Sequence, residues 1–148
     1  MTTVKAFHKI LNHQERLKNQ AYLDYQEAVN AFELIAEQLY QLLYKKEQVE
    51  KEYNYYLTSS GTVTTLATHY AFIEQIKQKI YEVEMEVNRK RSIMEQKQQK
   101  LTSAHVEVKK YEKIIENKQK RAELKVKYLE NQTMDELSSR QHFNYGNR

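Results

Sequence analysis

Counted in sevens from Leu66, the chain meets an apolar residue at every step: Leu66, Ile73, Ile80, Val87, Met94, Leu101, Val108, Ile115, Ala122 and Leu129. With 40% of residues apolar, ten such landings have a chance of roughly one in ten thousand in any one register. The half-step positions are more mixed. Ile76, Val83, Ala104 and Tyr111 are apolar, whereas Lys90, Lys97, Lys118 and Lys125 are not. A seven-residue apolar repeat held this long predicts a helix lying along another helix in a left-handed supercoil.

A second seam precedes it, alternating steps of four and three from Phe7 to Tyr56. It passes through Leu11, Gln14, Lys18, Ala21, Tyr25, Ala28, Phe32, Ile35, Leu39, Leu42, Lys46, Val49 and Tyr53. No glycine or proline interrupts it, and its outer positions carry good helix formers. At 1.5 Å per residue it predicts a rod of about 80 Å.

Between the seams lies Leu57-Thr58-Ser59-Ser60-Gly61-Thr62-Val63-Thr64-Thr65. Its hydroxyls compete for backbone hydrogen bonds, and Gly61 can take a positive φ. Thr64 or Thr65 is the expected N-cap of the second helix. A connection this short favours antiparallel neighbours. Folding the chain at about Gly61 sets Val49 against Ile73, Leu42 against Ile80, Ala28 against Met94, Leu11 against Tyr111 and Phe7 against Ile115. Small residues then face large ones, as even packing requires. The polar seam members are partly absorbed too, with Lys97 across from Tyr25, whose ring its stem can cover.

The expected fold is therefore all-α, a long antiparallel two-helix coiled-coil hairpin forming one domain over 1–148. Helix one spans about 4–57, the hinge 58–64 and helix two about 65–132, with a short C-terminal helix or tail over 133–148. Thr133-Met134-Asp135-Glu136 reads as a capping box opening that last piece, and the tail from His142 is expected to fray. Helix two outruns helix one. Some ten to fifteen residues after Lys118 lack an intramolecular partner, and this overhang is basic, with eight Lys or Arg against three Glu from Lys109 to Lys127.

Composition narrows the function classes. There is no proline and there are only two glycines, which excludes sheet folds needing many turns. The absence of cysteine leaves no disulfide framework, thiolate metal site or thiol nucleophile. A net charge of +4 spread along a rod does not mark a nucleic-acid binder. No apolar run approaches a membrane span, and the first residues lack a signal-peptide core, so a soluble intracellular protein is expected. The five histidines have neither the i, i+4 spacing nor the Glu-x-x-His pattern of helical metal sites. No nucleophile elbow or phosphate loop occurs, so no enzyme and no cofactor are expected. Of twelve tyrosines, Tyr53, Tyr55, Tyr56 and Tyr70 gather about the hinge with Phe72. They read as rings sealing the closed end or as a docking surface.

The order and spacing of Glu37-Gln38-Leu39-Tyr40-Gln41-Leu42, Tyr70-Ala71-Phe72-Ile73-Glu74-Gln75-Ile76, Lys79-Ile80 and Met134-Asp135-Glu136-Leu137 give the chain a family resemblance. It resembles the bacterial flagellar export protein FliJ family over essentially its full length. The resemblance implies a cytoplasmic part of the flagellar type III export apparatus, associated with the inner face of the membrane through its partners only. It implies a monomeric stalk that inserts paired terminal helices into the hexameric export ATPase, promotes ring assembly, links it to the membrane export gate protein and escorts substrate chaperones. The inserted end would be Phe7 to Leu17 with Tyr111 to Leu129, with Lys118, Lys120, Arg121 and Lys125 at the ring. Gate binding carries over to Gln38, Leu42, Phe72 and Ile76. The chain departs from the family pattern at Lys45, Val49, Lys79 and Val83. The heptad register also places Leu42 and Ile76 in the seam, leaving Gln38 and Phe72 as the exposed contacts. Two other readings stand beside this one: a structural tether or homodimeric spacer without an ATPase partner, and a nucleic-acid-binding hairpin using Lys109 to Lys127.

Overall fold

The computed structural model describes residues 2–59 and 62–146. Gly61, with the positive φ expected there, lies outside them, as do Ser60 and the last two residues of the tail. Two helices account for the described chain: α1, Thr2–Thr58, and α2, Val63–Gly146. They pack side by side as a helical hairpin, with no strand among the described residues. The chain divides into two compact units, Asn19–Thr102 and Met1–Lys18 with Ser103–Arg148.

In the unit 19–102 the apolar seam is the core. Val49, Ile73, Ile76 and Ile80 are buried, and Leu39, Leu42 and Tyr53 pack against them. Val83, Val87 and Ala28 extend the buried row. Each isoleucine taken from water contributes on the order of 1.5–3 kcal/mol, so this row, rather than helix propensity, holds the arms together. The polar seam members Lys46, Lys90 and Lys97 are half-buried, stems inward and charges outward. Lys46 also pairs with Glu50 at 3.5 Å. Lys97 shares a groove with Asp24, Ala28 and Lys90.

The turn is built from hydroxyls. Thr58 Oγ1 donates to the Asn54 and Tyr55 carbonyls and Ser59 Oγ to the Tyr55 carbonyl at 2.7 Å, satisfying acceptors that the end of α1 leaves open. The N-cap of α2 is Thr62 rather than Thr64 or Thr65. The Thr65 N–H donates to Thr62 Oγ1 at 3.1 Å, the bond a cap makes to the third helical residue. Thr65 is thereby inside the helix, its hydroxyl 2.8 Å from that of Thr62. Of the hinge tyrosines, Tyr53 packs on the core and Tyr56 lies 5.1 Å from the His69 ring. Tyr55 and Tyr70 point to solvent.

In the other unit, α1 residues up to Lys18 cover α2 from Ser103 to Ala122. Val108 is 1% exposed and Ile115 5%, while Phe7 and Tyr111 stack with ring centroids 6.3 Å apart. Beyond Ala122 every residue to Gly146 is exposed. The helix does not break at Thr133 as the capping-box reading expects. Thr133 Oγ1 donates back to the Leu129 carbonyl at 2.9 Å, a mid-helix bond. The uncovered part of α2 is accordingly longer than the ten to fifteen residues that the pairing arithmetic gives.

Candidate functional site

The two groups of residues singled out from sequence lie in different units. In the unit 19–102, Gln38 and Leu42 are one turn apart on α1, and Phe72 and Ile76 one turn apart on α2. Ile76 is 6% exposed and Leu42 rests against the same core. Gln38 is exposed and Phe72 is 38% exposed. Lys45 Nζ lies 5.2 Å from the Phe72 ring centroid, a cation–π contact between the helices. The four residues thus grade from core to surface: Ile76 holds the arms together, and Gln38 and Phe72 are offered to solvent beside the Lys45 charge.

In the other unit, Lys118, Arg121 and Lys125 follow each other at steps of three and four along one flank of α2. Lys118 is half-buried, its Nζ 5.3 Å from the Phe7 ring. Arg121 and Lys125 are exposed. Lys120 faces away from this flank and bridges Glu116 at 2.9 Å. The hydrogen bond from Lys120 and its charge, with Lys113 adding to them, hold the Glu116 carboxyl below the usual carboxylate range. The spacing Glu123–Lys127 matches that of Glu116–Lys120, yet among the described residues only the latter closes. The flank therefore presents three cations beside a bare helical face, with α1 ending at its root.

Two participants escaped the sequence reading. The half-step count lands on Lys125, but the apolar stripe steps from Ala122 to Val126 and then to Leu129. Two successive steps of four (Lys118, Ala122, Val126) carry that shift, a stutter visible in the sequence once strict heptads are relaxed. The other is Lys45, a departure from the family pattern that the structure places over Phe72.

Among the described residues no group of three or more His, Cys, Asp or Glu is placed to hold a metal ion, and no helix is long and apolar enough to cross a membrane. A family model described as flagellar FliJ protein matches residues 4–147. The flagellar FliJ protein of Bacillus subtilis (strain 168) is 36% identical over 135 residues, covering 91% of this chain and 92% of that protein. No solved structure matches the chain.

Proposed function

Because the chain belongs to the FliJ family of flagellar proteins, we propose that it is a non-enzymatic stalk of the flagellar export apparatus. Its terminal pair, Phe7 to Leu17 with Tyr111 to Leu129, enters the pore of the hexameric export ATPase and promotes ring assembly and hydrolysis. Lys118, Lys120, Arg121 and Lys125 meet acidic groups of the ring, steering entry and fixing register more than adding affinity. Gln38 and Phe72, with Leu42 and Ile76 behind them, form the contact with the membrane export gate protein. Substrate chaperones are escorted on the same molecule, which works as a cytoplasmic monomer held at the membrane by its partners.

The observation that carries this reading is the basic end of α2, where Arg121 and Lys125 stand exposed on either side of Ala122, the last residue that α1 covers. A shaft inside a ring needs charge and relief on a stiff rod, and that segment supplies both. The test is to add the protein to a purified hexameric export ATPase and measure ring formation and ATP hydrolysis. Both rise with the native chain, and the rise is lost when Lys118, Lys120, Arg121 and Lys125 are all replaced by glutamate. No stimulation, or stimulation indifferent to those charges, removes the stalk reading.

A further inference from the structure

Toward the turn the two arms lose their buried seam. Past Val49 and Ile73, none of residues 50–59 or 62–72 is fully buried. The hydroxyl bonds there each stay on one side of the turn and do not join the arms. A polar tie crosses instead. His69 of α2 sets its Nε2 3.6 Å from Glu52 Oε2 of α1. Among the described residues this is the one ion pair that runs from helix to helix, the others each lying within a single helix. We propose that His69 and Glu52 form a proton-operated clasp, tying the closed end when the imidazole is charged and releasing it when the ring is neutral.

The other ring nitrogen fixes the logic. His69 Nδ1 lies 3.0 Å from the Thr65 carbonyl oxygen, and a carbonyl oxygen only accepts, so Nδ1 carries the hydrogen of the neutral ring. The bond at one nitrogen thereby decides the state of the other. Nε2 of the neutral ring is left with a lone pair facing the Glu52 carboxylate, two acceptors with no hydrogen between them. A proton added at Nε2 turns that contact into a charge-assisted donor–acceptor pair without disturbing the bond to Thr65.

The titratable groups of α1 that face the ring are Glu52 and Tyr56, whose ring centroid is 5.1 Å from that of His69. Glu52 takes part in no other ion pair of the described residues, so no lysine or arginine competes for it there. The His69 side chain is 21% exposed, which leaves the added charge a path to water. The tie contributes with the ring protonated and is lost as pH rises through the interval in which imidazole gives up its proton. Its effect is local, because an end without buried side chains opens separately from the core.

Two measurements on the full chain test the clasp. Nitrogen-15 resonance of the His69 ring at about pH 8 shows the neutral form with its hydrogen on Nδ1. A neutral ring with the hydrogen on Nε2 overturns the proposal, since that form could serve Glu52 without any added proton. Hydrogen exchange gives the second readout, as protection factors that remove the intrinsic pH dependence of amide exchange. Amides from Leu66 to Tyr70 are about two- to fivefold better protected at about pH 5.5 than at about pH 8, the range of a solvent-exposed pair. Amides around Val87, remote in sequence from every histidine, show no such change. Glu52→Gln, at an exposed position, abolishes the difference at Leu66 to Tyr70. A response that persists in Glu52→Gln, or that is no larger than the one around Val87, overturns the clasp. No export component is present in either measurement, so the outcome is independent of the stalk reading.

Discussion

The α2 stretches around Ile80 and around Leu129 carry similar apolar spacing, yet in the first the stripe is buried and in the second it is bare. The difference lies outside α2. Around Ile80 the residues of α1 supply Leu39, Leu42 and Val49, whereas past Ala122 none of the described residues covers α2. Periodicity in one helix records the need for a partner; burial shows over which stretch the other arm supplies it. This is why one stretch reads as a structural core and the other as a bare face.

The contrast is broken most sharply by truncating one residue in each stretch. Ile80→Ala removes buried methyl and methylene groups and lowers unfolding stability by about 3 kcal/mol, as followed by urea denaturation with circular dichroism. Leu129→Ala changes it by about 0.5 kcal/mol or less, because nothing packs there. Comparable losses at both sites would mean that the stripe is covered within its own chain. A middle-sized effect belongs to the border between covered and bare. Lys118→Ala removes the ammonium from the Phe7 ring and costs about 0.5–1 kcal/mol, while Lys125→Ala costs less, a difference readable in the same denaturation curves.

The smallest effect sharpens the electrostatics of the solvent face just before the bare segment. Glu116 titrates below the ordinary carboxylate value of 4.5 because Lys120 donates to its ionised form. A group whose folded pKa is depressed stabilises the fold above its unfolded value and loses that contribution as pH falls through the folded one. Nuclear magnetic resonance titration of the Glu116 side chain therefore shows a midpoint below 4.5, moving up toward it in Lys120→Ala. High salt narrows the gap, since the pair is fully solvated.

Much of the hairpin was readable from the chain because a seven-residue repeat leaves few alternatives. The seam residues from Phe7 to Tyr53 are all buried or half-buried, polar members such as Gln14 and Lys18 included. What escaped were local decisions among chemically equal candidates. Thr62, Thr64 and Thr65 all carry a capping hydroxyl, and only the backbone path selects Thr62. Thr133 can cap a new helix or bond back within an old one, and with no glycine or proline from Thr62 to Tyr145 the helix simply continues. For the candidate site, Ile76 was legible as a core residue from its register. The contact of Lys45 with Phe72 was not, because it depends on how two flanking side chains reach across the seam.

The hydroxyl-rich turn has a kinetic consequence. Its bonds join residues only three or four apart, so they can form while the rest of the chain is still a coil. Bringing Phe7 to Tyr111 with nothing else formed would close a loop about eight times as long as that between Tyr56 and His69, an added cost of about 2 kcal/mol. Starting at the turn avoids it, since every later rung spans only the few residues beyond the last one fastened. The molecule should thus zip shut from Thr58 and Thr62 outward, and its free ends should be the first to fray and the last to settle.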